Sequence, residues 1–334
     1  MSSENYGPLG WQALVTASRR FLEAPPRGFS EHPILHRIGA LYFAKPEEEA
    51  ALRGSGRELA KRGVEHRILP AEEARAISPT VRTEGFSLAL HEPGCADIDA
   101  NALVQGYLKF AKARGLQALM SSEAIALARR DGRWHVKAGG HTLTAARVVN
   151  AAGAWVDDLA SRAGVRPKGI KPYRRTAITF EAPAGSNVRA WPMTFDAAET
   201  WYFKAESGRV MTSPVDKTPV DPCDAMPEEL DIAMAVARIE EATTMTVARI
   251  HSKWAGLRTF APDEQPVIGP DPDEPSFVWL AGQGGNGVMG GPAAAELATA
   301  LATGSSVPDH ITRYGVILDA ISPARFARVS VENA

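Results

Sequence analysis

Trp11, Leu14, Val15, Phe21 and Leu22 recur at helical spacing between Leu9 and Glu23, and the spacing predicts a helix there. Ala24-Pro25-Pro26 ends it, because proline offers no amide hydrogen and clashes with the preceding turn. The apolar run Ile38–Ala44, bounded by Pro46, reads as a strand. The charged, alanine-rich stretch Glu47–Arg62 reads as a helix stopped by Gly63, and Glu72–Ile77 as a short helix ended by Ser78-Pro79. A further helical alternation runs from Asn101 to Arg114 and meets Gly115. Three strands follow, Ala124–Arg130, Arg133–Ala138 and His141–Asn150, with Asp131-Gly132 and Gly139-Gly140 as hairpin junctions. The third ends in Val148-Val149-Asn150-Ala151-Ala152, a run suited to a strand buried on both faces of a parallel sheet.

From Val165 to Trp254 strand signals dominate, among them Thr176–Phe180 and Thr200–Lys204, interrupted by one helical stretch, Pro227–Glu241. The chain then returns to α/β character, with Phe277–Ala281 as a strand, a glycine-rich loop, and a helix from Pro292 to Thr303 closed by Gly304. The expected fold class is therefore mixed α/β and α+β, a discontinuous nucleotide-type domain joined to a mixed-sheet substrate domain.

Composition narrows the function classes. Thirty-seven basic and 39 acidic residues leave a net charge of −2, which excludes a strongly basic nucleic-acid binder and a polybasic membrane patch. No apolar run approaches the roughly 20 residues of a transmembrane helix, and the first six residues show no signal-peptide pattern. Cys95 and Cys223 are too few for a disulfide framework, and the expected compartment is the reducing cytoplasm. The eight histidines show no HExxH spacing, no metal is expected at His91 near Cys95 and Asp97, and no GxSxG elbow is present.

Three segments carry candidate chemistry. Val149-Asn150-Ala151-Ala152-Gly153-Ala154-Trp155 puts small residues after a buried strand and ahead of a helix, where a ligand can approach the backbone. The same residues also suit close helix–sheet packing. Gly282-Gln283-Gly284-Gly285-Asn286-Gly287-Val288 joins a strand to a helix and leaves amides to face an anion or polar ring, or it is simply a flexible loop. It lacks the Gly-Lys-Ser/Thr ending of a P-loop. In Trp254-Ala255-Gly256-Leu257-Arg258 an arginine sits among apolar residues, suited to a substrate carboxylate or else reaching to solvent. The same alternatives apply to Arg174 and Arg175 beside Tyr173.

Together these segments resemble the FAD-dependent D-amino-acid oxidase/dehydrogenase family, which includes glycine and sarcosine oxidases. Further strings, Pro25-Pro26-Arg27-Gly28-Phe29, His32-Pro33, Ala96-Asp97-Ile98-Asp99, Ile239–Thr244 and Ile321-Ser322-Pro323, are similar to bacterial D-amino-acid dehydrogenases of the D-arginine type. The resemblance spans essentially the whole chain. It implies FAD as cofactor and a glutathione-reductase-like FAD domain over residues 1–36, 95–164 and 255–334, with a substrate domain over 37–94 and 165–254. It places Ala151, Ala152, Gly153, Trp155, Gly284, Gly285, Asn286, Gly287 and Val288 at the flavin. Arg258 and Arg175 would clamp the substrate carboxylate, the Tyr202 hydroxyl would add a hydrogen bond, and Tyr6 would either line the entrance or anchor the first helix. The implied reaction passes a hydride from the Cα of a D-amino acid or related amine acid to flavin N5, and the imino acid then hydrolyses to a 2-oxo acid and ammonia. The helix expected from Pro292 would point its positive end at the flavin.

Two departures qualify the resemblance. The family opens with a strand–GxGxxG–helix unit that holds the FAD pyrophosphate, and no such opening unit stands ahead of Tyr6-Gly7, which already matches a point beyond it. The FAD domain is thus expected to lack its first βαβ unit, leaving the strand that ends near Ala152 with an apolar edge. The alternative expectation is an inactive fragment or a subunit that needs another chain for that unit. Members that take basic D-amino acids carry an acidic residue where this sequence has Ala40, which points to smaller or apolar substrates. Oxygen and a quinone both stay open as electron acceptor.

Overall fold

The computed structural model describes residues 1–326. The chain divides into two compact units, one formed by Met1–Asn5, Leu35–Ile98 and Tyr173–Leu257, the other by Tyr6–Ile34, Asp99–Pro172 and the segment from Arg258 onward. These divisions differ from those expected from the sequence: residues 1–5, 35–36, 95–98 and 255–257 join the first unit, and 165–172 the second. Backbone pairing explains part of the shift. Ser2 bridges to Ala96, and Leu35–Arg37 pairs antiparallel with Ala96–Ile98, so these short segments form one patch of structure.

The first unit is built on a nine-stranded sheet. Its strands lie in the order Lys171–Phe180, Arg209–Ser213, Tyr202–Glu206, Met193–Asp196, Ala40–Ala44, Leu88–Glu92 and Arg67–Pro70, with Thr218–Pro219 and Ile250–Phe260 also pairing with Lys171–Phe180. Met193–Asp196 runs parallel to Ala40–Ala44, while the other registered neighbours are antiparallel. Every residue of Ala40–Ala44 is buried, which is why this strand reads as an unbroken apolar run. Side chains alternate across it, so Leu41 and Phe43 join Phe180, Phe203 and Ile239 in one core cluster. Ala40 and Tyr42 join Phe195, Tyr202 and Leu59 in another.

The second unit holds two three-stranded sheets. Ala124–Arg130, Arg133–Ala138 and His141–Ala145 form an antiparallel meander. Val267–Pro270, Phe277–Ala281 and Val148–Asn150 form the other, the last two parallel. The single strand expected over 141–150 is therefore two. The alternating half closes the meander, and the apolar half crosses to the parallel sheet. Among the described residues Val148–Asn150 pairs on one side only, and Val149 is 52% exposed on it.

The helices Leu9–Glu23 and Gly287–Thr303 pack through Trp11, Leu14 and Ala17 against Ala293, Ala294 and Leu297. A Cβ at Gly290 would lie 2.8 Å from the Trp11 ring, so this crossing needs glycine. The second helix starts at Gly287, five residues before its expected start at Pro292. The glycine-rich segment thus turns into helix early, and the proline lies within it. Nearby, Ser18 Oγ accepts the Ala293 amide at 2.9 Å. The Lys168 ammonium and Asp271 carboxylate form a fully buried ion pair at 2.7 Å, and Trp279 Nε1 donates to the same carboxylate at 3.0 Å. Burial by itself would raise the Asp271 carboxyl, but these two donors outweigh it and hold it below the ordinary carboxylate value.

No helix among the described residues is long and apolar enough to cross a membrane.

Candidate functional site

In the second unit Trp279 stands opposite Asn150 in the parallel pair. The turns that leave these two strands, 151–155 and 282–287, therefore emerge side by side at their carboxyl ends. That is where parallel sheets leave backbone groups open to a ligand. The first turn is pinned by Asn150, whose Nδ2 donates to the Val156 carbonyl at 2.8 Å and whose Oδ1 accepts the Ala152 amide at 3.3 Å. Ala151, Gly153 and Trp155 are exposed and Ala152 half-buried. Gly153 adopts a left-handed φ of +57°, which opens a short 3-10 turn before the helix Val156–Arg162.

The second turn is held from below. Trp11 Nε1 donates to the Gly282 carbonyl at 3.0 Å, and the Gly284 amide donates to the Thr259 carbonyl at 2.8 Å. Gly284 has φ +51°, and a Cβ there would lie 2.7 Å from the Phe260 ring. The helix then begins at Gly287, and amides of its first turn have no acceptor within the helix. Val288 is exposed on that turn.

The strand Ile250–Phe260 delivers Arg258 to the same loop. Its guanidinium donates from Nη1 to the Tyr6 hydroxyl at 2.9 Å. A Cβ on Gly285 would approach Tyr6 Cε1 to 2.8 Å and the Arg258 nitrogen to 3.0 Å, so both side chains lie directly on this glycine. Asn286, 2% exposed, presents an Oδ1 with no hydrogen-bond partner. Its amide packs against Gly7, whose φ is +86°. Tyr6, Arg258, Gly284, Gly285, Asn286 and Gly287 are thus brought together from three parts of the sequence.

Arg175 and Tyr202 lie in the first unit, on strands that flank Arg209–Ser213. Arg175 Nε donates to the Asp216 carbonyl at 2.7 Å. Tyr202 is buried with its ring 5.6 Å from that of Phe195, which stacks on Tyr42 at 4.7 Å. The structure separates the two adjacent arginines. Arg174 is buried and bound to Asp231 through two nitrogens, at 3.0 and 2.9 Å, and to Glu228, which commits it to the fold. Ala40 stands opposite Glu92, whose buried carboxylate accepts from Ser3 Oγ at 2.6 Å and from the Glu4 amide at 2.8 Å.

Residues 2–301 match the family model described as FAD dependent oxidoreductase. The chain belongs to this FAD-dependent oxidoreductase family. A glycine oxidase from Pseudomonas putida is 28% identical over 283 residues, covering 82% of this chain and 72% of that protein. FAD-dependent oxidoreductase domain-containing protein 1 from Bos taurus is 24% identical over 314 residues, and the match covers 81% of this chain but only 62% of that protein. The crystal structure of L-proline dehydrogenase from P. horikoshii superposes with a TM-score of 0.80 at 19% identity, over 97% of this chain and 85% of that one.

FAD is the cofactor of this oxidoreductase family. The residues present fit its ring portion: a buried amide oxygen without a partner at Asn286, a glycine floor at 284–285 that side chains would fill, and the positive end of a 17-residue helix. Asn286 and the amides around Gly287 would hold the ring's polar edge, and Ala151–Trp155 would flank it.

The sequence reading missed Thr259 and Trp11, which hold the glycine loop by its backbone, and Asp216, which holds Arg175. All three act through main-chain atoms or on them, so residue type gave no signal.

Proposed function

We propose that this oxidoreductase oxidises the Cα–N bond of a small D-amino acid or related amine acid, giving an imino acid that water converts to a 2-oxo acid and ammonia, or to the corresponding amine where the nitrogen is substituted. The reading is supported by the Arg258–Tyr6 pair at 2.9 Å, set on Gly285 in the loop that follows the parallel strand. A guanidinium held by a tyrosine hydroxyl presents a fixed fork, the geometry that binds a carboxylate through two parallel hydrogen bonds. When bound, FAD supplies the two-electron acceptor for the hydride of Cα–H. The chain's own residues supply orientation: Arg258 anchors the carboxylate, Tyr6 limits the swing of that anchor, and the glycine floor lets the substrate skeleton come close. By the family resemblance, Arg175 and Tyr202 are read as substrate-binding residues of the first unit. The second unit, with the glycine loop, is read as the FAD-binding portion and the first as the substrate portion. Ala40, with Glu92 already committed to the Ser3–Glu4 backbone and hydroxyl, favours small or apolar side chains over a guanidinium.

The test is an FAD titration followed by oxidation assays with a dye acceptor on glycine, sarcosine, D-alanine, proline and D-arginine. Arg258→Met is expected to cost about 2–5 kcal/mol of transition-state binding, the scale for stripping a buried charge of its partner. Tyr202→Phe is expected to cost less. An unchanged kcat/KM in the Arg258 variant removes that residue from the site.

The one-sided pairing of Val148–Asn150 favours a second reading, in which another polypeptide supplies a strand and its GxGxxG turn. In that case the chain alone stays colourless on FAD titration and turns yellow only with its partner.

A further inference from the structure

The pairing along Lys171–Phe180 holds an irregularity beside Arg175. Arg174 stands opposite Thr218, and Ile178 opposite Thr212. Four steps on this strand are therefore matched by six on the neighbouring segment, and two surplus residues are pushed out between Ser213 and Thr218. Such bulges bend the strand and re-aim nearby side chains. At its crest Val215 has φ +54°, a conformation that a β-branched residue adopts only when its surroundings impose it.

The surroundings that impose it are specific. The Asp216 carboxylate is buried and accepts the Thr176 amide at 2.7 Å and the Thr176 hydroxyl at 3.2 Å. It thus takes the place of the carbonyl that a regular ladder would offer that amide. The Val215 amide donates to Ser213 Oγ at 3.1 Å. Arg238 closes the far side, donating to the Pro214 carbonyl and to the Thr200 carbonyl, the latter at 2.8 Å. With side chain and backbone both fixed, the Asp216 carbonyl faces Arg175 Nε at 2.7 Å. A guanidinium held at Nε has its plane fixed, and with it the edge formed by its two terminal nitrogens.

We infer that the Pro214–Lys217 bulge is a positioning device for Arg175, with Asp216 as the positioning residue that sets the guanidinium to meet a substrate carboxylate in one orientation. This rests on the reading above that Arg175 contacts the substrate. Asp216 itself touches no substrate, and its effect passes through Arg175 alone.

The test uses calorimetric titration of the full FAD-loaded chain with benzoate, a carboxylate with no amine to oxidise, so that the dissociation constant reads binding alone. Arg175→Met and Asp216→Ala are each expected to weaken binding about tenfold, and the double variant no more than Arg175→Met alone. Asp216→Asn keeps an oxygen for the Thr176 amide and is expected to stay within about threefold of the wild type. Val215→Pro, whose ring forces φ to about −65° and removes the amide that donates to Ser213 Oγ, keeps the Asp216 side chain in the sequence but undoes the bulge. It should reproduce the Asp216→Ala loss, and it carries the test should that variant not fold. Binding weakened by Arg175→Met but untouched by Asp216→Ala or Val215→Pro overturns the inference and leaves the carboxylate reading standing. Additive losses in the double variant overturn it too, since they show Asp216 acting on the fold at large. Wild-type-like binding in Arg175→Met, or no benzoate binding by the wild type, overturns both.

Discussion

Gly285 offers a clean way to disturb the proposed site without disturbing the fold. Its φ is not in the left-handed region, so alanine costs nothing in backbone strain there. An added methyl would, however, lie 2.8 Å from the Tyr6 ring and 3.0 Å from both the Tyr6 hydroxyl and the Arg258 nitrogen, closer than carbon contacts allow. Both neighbours are long side chains that can swing away, and the motion that relieves the clash breaks their 2.9 Å hydrogen bond. A hydrogen bond with a charged donor contributes about 1.5–3 kcal/mol, and each 1.4 kcal/mol is tenfold. Gly285→Ala should therefore lower kcat/KM roughly ten- to a hundredfold while shifting stability by less than about 1 kcal/mol. Gly284→Ala is the contrasting variant. Its left-handed φ and the Phe260 ring at 2.7 Å make it a folding defect as well. Steady-state kinetics on the preferred amino acid and thermal melts of both variants check this. Full activity in Gly285→Ala, or a melt as damaged as that of Gly284→Ala, refutes the reasoning.

Other outcomes follow from the same coordinates. Asp271 is held below its ordinary carboxylate value in the folded state, so its contribution is complete above the unfolded value of about 3.9 and fades as pH falls through the folded one. Melting temperature should drop below about pH 4, and Asp271→Asn should flatten that slope while costing about 3–5 kcal/mol by leaving the buried Lys168 ammonium alone, as read by denaturant titration. Gly290→Ala should gain up to about 1 kcal/mol in helix propensity but lose about 1–3 kcal/mol by pushing Trp11 out of register. The net loss is read by melting and by a red shift in tryptophan emission.

The chain's periodicity announced most of its elements because most of them bury one regular face. Leu9–Glu23, Ala124–Arg130, Arg133–Ala138 and Phe277–Ala281 fall where the pattern puts them. The errors fell where one hydrophobic pattern serves two environments. Residues 141–150 look like one strand because both halves favour extended backbone, yet only their different neighbours, the meander and the parallel sheet, show that the chain changes sheets after Ala145. Pro292 looks like a helix start because proline prefers the first turn. In the folded chain the preceding glycines already follow the helix, and the proline falls inside it.

The site divides in the same way. The sequence raised Arg258 as a carboxylate partner or a solvent-reaching arginine, and the glycine segment as a ligand loop or a flexible one; in the fold the two meet at Gly285. Which tyrosine meets Arg258 was not legible from composition, since the hydrogen bond joins residues 252 positions apart. Nor was the difference between Arg174 and Arg175, neighbours in one strand that point to opposite faces. One is consumed by Asp231 and Glu228, and the other is steered by the backbone of Asp216. That steering depends on two surplus residues between strands and on a valine forced to φ +54°. Side-chain patterns record which faces are buried, but a detour of the backbone leaves the alternation on either side intact, so features of this kind become visible only once the pairing register is known.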